Sequence, residues 1–175
     1  MNSEDQVLPG FVLADLFRSS LVMVEGEPKL LKEQPKTVIT NTERQWYLGS
    51  NLRKITLLVN EKEAVYLADD SLQFLSSILG ACKLNLGDVA IVNYHNDPVN
   101  YPFLKEKLVP NHLILFGVTA NEIQLPFMVP YYQVQKHDNR SFLLAPALDT
   151  MLGTSQEAKL EKSKLWLSLK SMFGI

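Results

Sequence analysis

Three short apolar runs that lack polar alternation constrain this chain more than any other sequence feature. They are ITLLVN at 55–60, DVAIVNYH at 88–95 and HLILFGVT at 112–119. A strand that faces water on one side alternates apolar and polar residues, whereas a strand buried on both faces of a parallel sheet is apolar almost throughout. We therefore expect these runs to be parallel neighbours in one sheet that is covered on both faces.

The segments between the runs have helical spacing. The apolar residues of the first segment share one helical face: Leu72, Leu75, Leu79 and Cys82. Asp69 and Asp70 precede them and are expected to cap the helix N-terminus, and Asp97 followed by Pro98 is expected to begin the second helix. The β-α-β-α-β order predicts an α/β fold, a three-layer sandwich with a mainly parallel central sheet and right-handed crossovers.

The C-terminal third predicts a hairpin and a long helix. The segment PYYQVQKHDNRSFLLAP reads as two extended pieces around a polar turn at His137 to Arg140. From about Gln156 to Phe173 the spacing predicts a helix that packs back on the sheet, with Leu165 and Leu169 on its inner side.

A chain of 175 residues fits a single domain. The β-rich pattern begins after residue 50, so we interpret 1–50 as an N-terminal arm and linker, and 51–175 as the α/β domain. The arm opens with a weakly periodic apolar group: Phe11, Leu13, Leu16 and Phe17. Such a group fits a segment that orders on a protein partner, or one that covers the core of its own domain.

Composition narrows the function classes. The formal net charge is −2, which provides no global positive field for phosphate backbones, so nucleic acid is expected only as an indirect partner. Cys82 is the sole cysteine, which excludes an internal disulfide and a cysteine-based zinc cluster and favours a cytoplasmic location. The start MNSEDQVLPG is unlike a signal peptide, and no run approaches the roughly 20 apolar residues that span a bilayer, so we expect no membrane association.

Candidate site residues follow the strands, because ligands in α/β sheets bind at the carboxyl ends of the strands. Tyr94 and His95 end the second run, and His95 could act as a general base oriented by a nearby carboxylate. The alternative is an ordinary strand exit followed by a cap. Asp69 and Asp70, with Glu61 and Glu63, form an acidic group that could hold a hard cation or could be helix caps and solvated surface.

Other common chemistries lack their residue patterns. Gly80, Gly87 and Gly117 form no phosphate-binding loop, which disfavours nucleotide cofactors. His112 begins a strand and His137 lies in a turn, so neither is expected to converge with His95 on a metal ion. We therefore expect no cofactor and no metal.

Across residues 52–173 the order of segments resembles the psi-subunit family of the bacterial DNA polymerase III holoenzyme. The resemblance is carried by an LxxIL helix (75–79), an LxxGDV turn (84–89) and an APAL turn (145–148) before a tryptophan-bearing helix. It implies a catalytically dead relative of the uracil-DNA glycosylase fold. It also implies an N-terminal segment that binds the clamp loader, and a body that binds the chi subunit, which in turn grips single-strand-binding protein.

This chain departs from active glycosylases of that fold at two loops. Their late loop carries a His-Pro-Ser-Pro-Leu type motif, but here Leu143 to Leu148 contains no histidine. The early loop has Asp69 and Asp70 but lacks the glycine and aromatic pattern that holds a flipped base. We expect a non-catalytic replisome accessory subunit. The alternatives are a glycosylase-like enzyme in which Asp69 or His95 handles the proton, and an α/β domain with a small-molecule pocket.

Overall fold

The computed structural model describes residues 45–175, and in this part of the chain five strands form one sheet. The strands are β1 (Ile55–Val59), β2 (Val89–Asn93), β3 (His112–Phe116), β4 (Gln135–His137) and β5 (Arg140–Ala145). Their order across the sheet is β2-β1-β3-β5-β4. The helices are α1 (Asp69–Ala81), α2 (Tyr101–Lys107), α3 (Asp149–Leu152) and α4 (Gln156–Phe173), and a 3-10 turn covers Leu86–Asp88.

The sheet is mostly parallel. β1 pairs in parallel with β2 on one side and with β3 on the other, and β3 pairs in parallel with β5. Leu57 at the centre of β1 lies opposite Ile91 of β2 and Ile114 of β3. The prediction that the three apolar runs are parallel neighbours is therefore confirmed.

Both faces of the sheet are buried, which explains the unalternated apolar runs. On one face Leu57 belongs to a cluster with Leu75 of α1 and Leu165 of α4. On the other face Leu58 belongs to a cluster with Leu104 of α2. Successive residues of a strand point to opposite faces, so successive positions of β1 are buried in different clusters and four of its five residues are apolar.

The C-terminal elements follow the sequence pattern closely. The two predicted extended pieces are β4 and β5, which pair antiparallel, but the turn is shorter than predicted because His137 and Arg140 belong to the strands. The turn residues Asp138 and Asn139 have φ angles of 53° and 57°, a conformation that these residue types tolerate. α4 begins after Ser155, whose hydroxyl accepts a hydrogen bond from the Ala158 N–H, and ends at Gly174 in the left-handed conformation. The predicted bounds of this helix are confirmed.

Two predicted helix starts were wrong. The N-cap of α1 is Ala68, which makes no side-chain cap, so Asp69 and Asp70 lie in the first helical turn instead of capping it. There their negative charges still interact favourably with the helix dipole. α2 begins at Tyr101, after Asn100, whose side chain accepts a hydrogen bond from the Phe103 N–H, and not at the Asp97–Pro98 pair.

The described part of the predicted arm, residues 45–50, packs on the sheet. Leu48 exchanges two backbone hydrogen bonds of 2.8 Å with Ile91. Trp46 and Tyr47 pack against the cluster that contains Leu58. The folded body therefore begins several residues before the predicted boundary at 51. Among residues 45–175, no helix combines the length and apolar character needed to cross a membrane.

Candidate functional site

A cleft of about 380 Å³ opens at the carboxyl ends of β1, β3 and β5. Its floor includes Val59 and Phe116, and its rim includes Glu61, Glu63 and Asp149. The next strand along the chain, β2, pairs with one side of β1, and the strand after it, β3, pairs with the other side. The strand order therefore reverses at β1, and the cleft lies at the carboxyl ends of the strands at this point. Ligands of open α/β sheets bind at such a point, so the cleft is the candidate functional site.

The loop after β1, which forms one wall of the cleft, is held by the buried amide of Asn93. Its Nδ2 donates to the carbonyl oxygens of Glu61 (2.8 Å), Ala64 (2.9 Å) and Val65 (3.3 Å). Its Oδ1 accepts from the backbone N–H groups of Glu61 (3.0 Å) and His95 (3.2 Å). Every polar atom of this fully buried side chain is thus used to join the loops that follow β1 and β2.

Two further polar residues reinforce the same connection. Asn96 Nδ2 donates to the carbonyls of Ala64 and Val65 at 2.8 and 2.9 Å. The buried Ser71 in α1 donates its hydroxyl to Glu61 Oε1 at 2.9 Å. The Glu61 carboxylate is therefore held by α1 at the cleft rim, and the loop shape is fixed by side chains that sequence reasoning did not single out.

Sequence reasoning missed Asn93 because it ends an apolar run and was counted as part of a strand. A signal was nevertheless available. A buried strand rarely contains an amide unless its donors and acceptor are all paired, so an asparagine at the carboxyl end of such a run indicates a loop anchor.

The predicted pocket residues Tyr94 and His95 do not line the cleft. The Tyr94 hydroxyl donates to the Glu122 carbonyl at 3.1 Å. The Tyr94 side chain packs on the face of the sheet that α2 covers. His95 is exposed, and its backbone N–H is bonded to Asn93 Oδ1. Asp69 and Asp70 were predicted to belong to a pocket. In the structure they are exposed at the start of α1, next to Ala68, which lines the cleft.

The late loop after β5 is closed by apolar packing. Gly117, which follows β3, has a φ of 66°, and a Cβ atom there would come within 2.8 Å of Ala147 Cβ. Leu148 is buried in the cluster of the α1 and α4 face. The late loop thus presents backbone and the apolar residues Ala147 and Leu148 to the cleft.

The remaining two described histidines, His112 and His137, lie at the opposite edge of the sheet from the cleft. His112 begins β3 at the amino end, and its ring packs against Phe173 with centroids 5.1 Å apart. Burial lowers the pKa of His112 below its ordinary value. His137 ends β4 and packs against Phe127. Within residues 45–175, no group of three histidine, cysteine or carboxylate side chains is placed to hold a metal ion.

The predicted partner-binding residues Phe11, Leu13, Leu16 and Phe17 lie outside the described residues. Their role therefore stays a prediction. A scan against protein-family models gave no matching family, and a search of curated proteins gave no match to this chain.

Proposed function

We propose that this chain is a non-catalytic replisome accessory subunit of psi type. It links the clamp loader, bound through the arm residues Phe11, Leu13, Leu16 and Phe17, to a chi-like protein that is associated with single-strand-binding protein and is bound by the folded body. The chain reaches nucleic acid only through these partners, works in the cytoplasm and needs no cofactor. Its mostly parallel sheet, covered by helices on both faces, is an α/β arrangement of the broad class that the psi resemblance implies.

The observation that carries this proposal is the packing of the late loop. An active glycosylase of this fold needs a polar group there to stabilise the departing base. Here Ala147 fills the space beside Gly117, and Leu148 is committed to the core. The loop that would contribute to chemistry instead contributes to stability, which supports a scaffold that acts by binding proteins.

The early loop supports the same conclusion. A catalytic carboxylate should face a closed pocket, because desolvation and fixed partners tune its proton affinity. Asp69 and Asp70 are exposed, and the only cleft carboxylate with a buried hydroxyl partner, among residues 45–175, is Glu61 bonded to Ser71. That bond stabilises the loop that Asn93 already anchors.

The proposal is tested by calorimetric titration of the full-length chain against the purified clamp loader and the purified chi-like protein of its own organism. We expect one-to-one binding to each. Phe11→Asp together with Phe17→Asp should weaken clamp-loader binding by at least tenfold and leave chi-like binding unchanged. Ser19→Asp, a charge added in the same segment but outside the apolar group, should change neither. Absence of binding to both partners would reject the proposal.

The cleft itself favours a second candidate, a uracil-DNA glycosylase-like enzyme, because a concave site lies where the resembling enzymes bind a base. We expect the purified protein to release no uracil from single- or double-stranded DNA. Release of uracil that disappears in an Asp70→Ala or His95→Ala variant would establish the enzyme and remove the accessory-subunit proposal.

A further inference from the structure

A surface groove runs between α1 and α4, on the side of the sheet away from α2. We define the α1/α4 groove by six residues: Phe74, Ser77, Ile78, Ala81, Lys162 and Trp166. Its volume is about 270 Å³, and its exposed lining is almost entirely apolar. Successive groove residues of α1 are three or four positions apart, so they form one continuous stripe along the helix.

The groove has the side chains that dominate binding energy in protein interfaces. Trp166 and Phe74 are half-buried, so each offers an aromatic surface without being committed to the core. Tryptophan is enriched among interface hot spots, and a groove between two helices is a common seat for a partner helix with apolar anchors at intervals of three or four. A Cβ added at the nearby Gly80 would meet nothing within 4 Å, so open space surrounds α1 at that position.

The charges beside the groove have one sign. The Lys162 ammonium lies 5.5 Å from the centre of the Phe74 ring and donates to the Gly153 carbonyl at 3.1 Å. It forms no ion pair with any carboxylate among residues 45–175. Lys83 follows α1 at the other end of the groove, next to Met172 and Phe173.

Negative charge on these helices is placed elsewhere. The charged residues of α1, Asp69 and Asp70, lie in its first turn, before the groove begins. Glu161 of α4 accepts hydrogen bonds from Lys164 and Tyr132, on a side of α4 that does not line the groove. These bonds hold the pKa of the Glu161 carboxyl below its ordinary value. The groove therefore combines an apolar floor with a lysine charge that no carboxylate of residues 45–175 pairs.

We infer that the α1/α4 groove is a docking site for an amphipathic helix of another protein, whose apolar side chains enter beside Trp166 and Phe74 and whose carboxylates pair with Lys162 and Lys83. A second copy of this chain is a poor occupant, because it would bring the same lysines together. The inference shares with the proposed function only the idea that the chain acts by binding proteins, and it does not require that the partner belong to the replisome.

The test places a photo-crosslinking amino acid, p-benzoylphenylalanine, at Ser77 of the full-length chain in its own cells. Crosslinked peptides are then sequenced by mass spectrometry. We expect adducts to a segment of another protein with apolar residues at helical spacing and flanking Asp or Glu. The same amino acid at Asn121, an exposed position on the other face, is the control and should give no such adduct.

Charge variants decide whether the lysine matters. Lys162→Glu should lower the Ser77 adduct at least tenfold, while Lys162→Arg should retain it, and circular dichroism should show both variants folded. Lys83→Glu, at an exposed position outside the helix, provides a second reduction that does not depend on the contact with Phe74. No adduct at Ser77, an adduct to the chain itself, or an adduct indifferent to both charge reversals would overturn the inference.

The outcomes separate this inference from the proposed function. An acidic amphipathic adduct in a protein outside the replisome, with no calorimetric binding to the clamp loader or chi-like protein, would uphold the groove and reject the proposed function. Calorimetric binding to both partners with no adduct at Ser77 would uphold the proposed function and reject the groove.

Discussion

A single amide, Asn93, fixes the loops at the candidate site. Its side chain bonds the carbonyl oxygens of Glu61, Ala64 and Val65, of which the last two are also bonded by Asn96. In the absence of Asn93, the Glu61 carbonyl and the N–H groups of Glu61 and His95 would have to find water or lose their hydrogen bonds. A buried polar group left without a partner costs far more than the net value of the bond that it forms. The residue is therefore structural, although it lies where a catalytic group would be expected.

Asn93→Ala should lower the free energy of unfolding by about 1–3 kcal/mol per buried group left unpaired, since it removes the donors and the acceptor together. Urea denaturation followed by circular dichroism measures the change. Asn60→Ala, at an exposed position one residue after β1, is the control and should stay within about 0.5 kcal/mol of the parent protein. Equal effects of the two substitutions would show that Asn93 does not anchor the loop.

His112 predicts a pH dependence of stability. Burial lowers its pKa in the folded protein, while the unfolded chain should titrate near about 6.5. The unfolded state then binds more protons as the pH falls below about 6.5, so the free energy of unfolding decreases until the folded-state pKa is passed. His112→Gln should flatten this dependence in urea titrations at a series of pH values. His137→Gln, at an exposed histidine, should leave the slope unchanged, and a slope that survives His112→Gln would contradict the assignment.

At the scale of elements, the loop after β3 and helix α1 contain two glycines in opposite situations. Gly117 has a positive φ and faces Ala147, whereas Gly80 lies inside α1 with open space around its Cα. Positive φ and the close approach require glycine at the first position, but nothing requires it at the second.

Gly117→Ala should destabilise the protein by at least about 1 kcal/mol, because it combines an unfavourable backbone conformation with a steric overlap. Gly80→Ala should stabilise it by about 1 kcal/mol, the usual gain from replacing glycine in a helix interior. Paired urea denaturation curves measure both. If the signs agree, the packing assigned to the late loop is wrong.

Much of the element layout could be predicted, because burial on both faces leaves a direct trace in sequence. The runs that became β1, β2 and β3 are almost entirely apolar, and α4 is flanked by Ser155 and Gly174, which mark helix ends. The starts of α1 and α2 could not be predicted as well. Asp69 and Asp97 are of a residue type that often caps helices. Capping depends on backbone geometry, however, and the N-cap residues of α1 and α2 are Ala68 and Asn100.

The candidate site was predicted in location but not in detail. Parallel strands bring their carboxyl ends to one edge, so the loops after β1, β2 and β3 were expected to lie there, but the parallel pairing of β5 with β3, which brings the loop after β5 into the cleft, was not predicted. The sequence could not show that Asn93 holds these loops or that Ala147 fills the space beside Gly117. Both contacts join residues distant along the chain, and they depend on how the strands align.

For the whole molecule, we propose that the apolar N-terminal residues bind a partner protein instead of packing on the domain. Deletion of residues 1–24 should then leave the thermal midpoint nearly unchanged and abolish clamp-loader binding. If those residues pack on the domain instead, the loss of several buried side chains at roughly 1.5–3 kcal/mol each would consume much of a typical stability of about 5–15 kcal/mol. Differential scanning calorimetry distinguishes the two, and a large fall in midpoint would reject the arm as a partner-binding segment.

If this chain is the non-catalytic link between two protein partners that we propose, it should bridge them directly. Purified clamp loader and chi-like protein should elute separately from a size-exclusion column, and should elute together when the full-length chain is added. The chain lacking residues 1–24 should bring down only the chi-like protein. Separate elution of the two partners in the presence of the full-length chain would contradict the account.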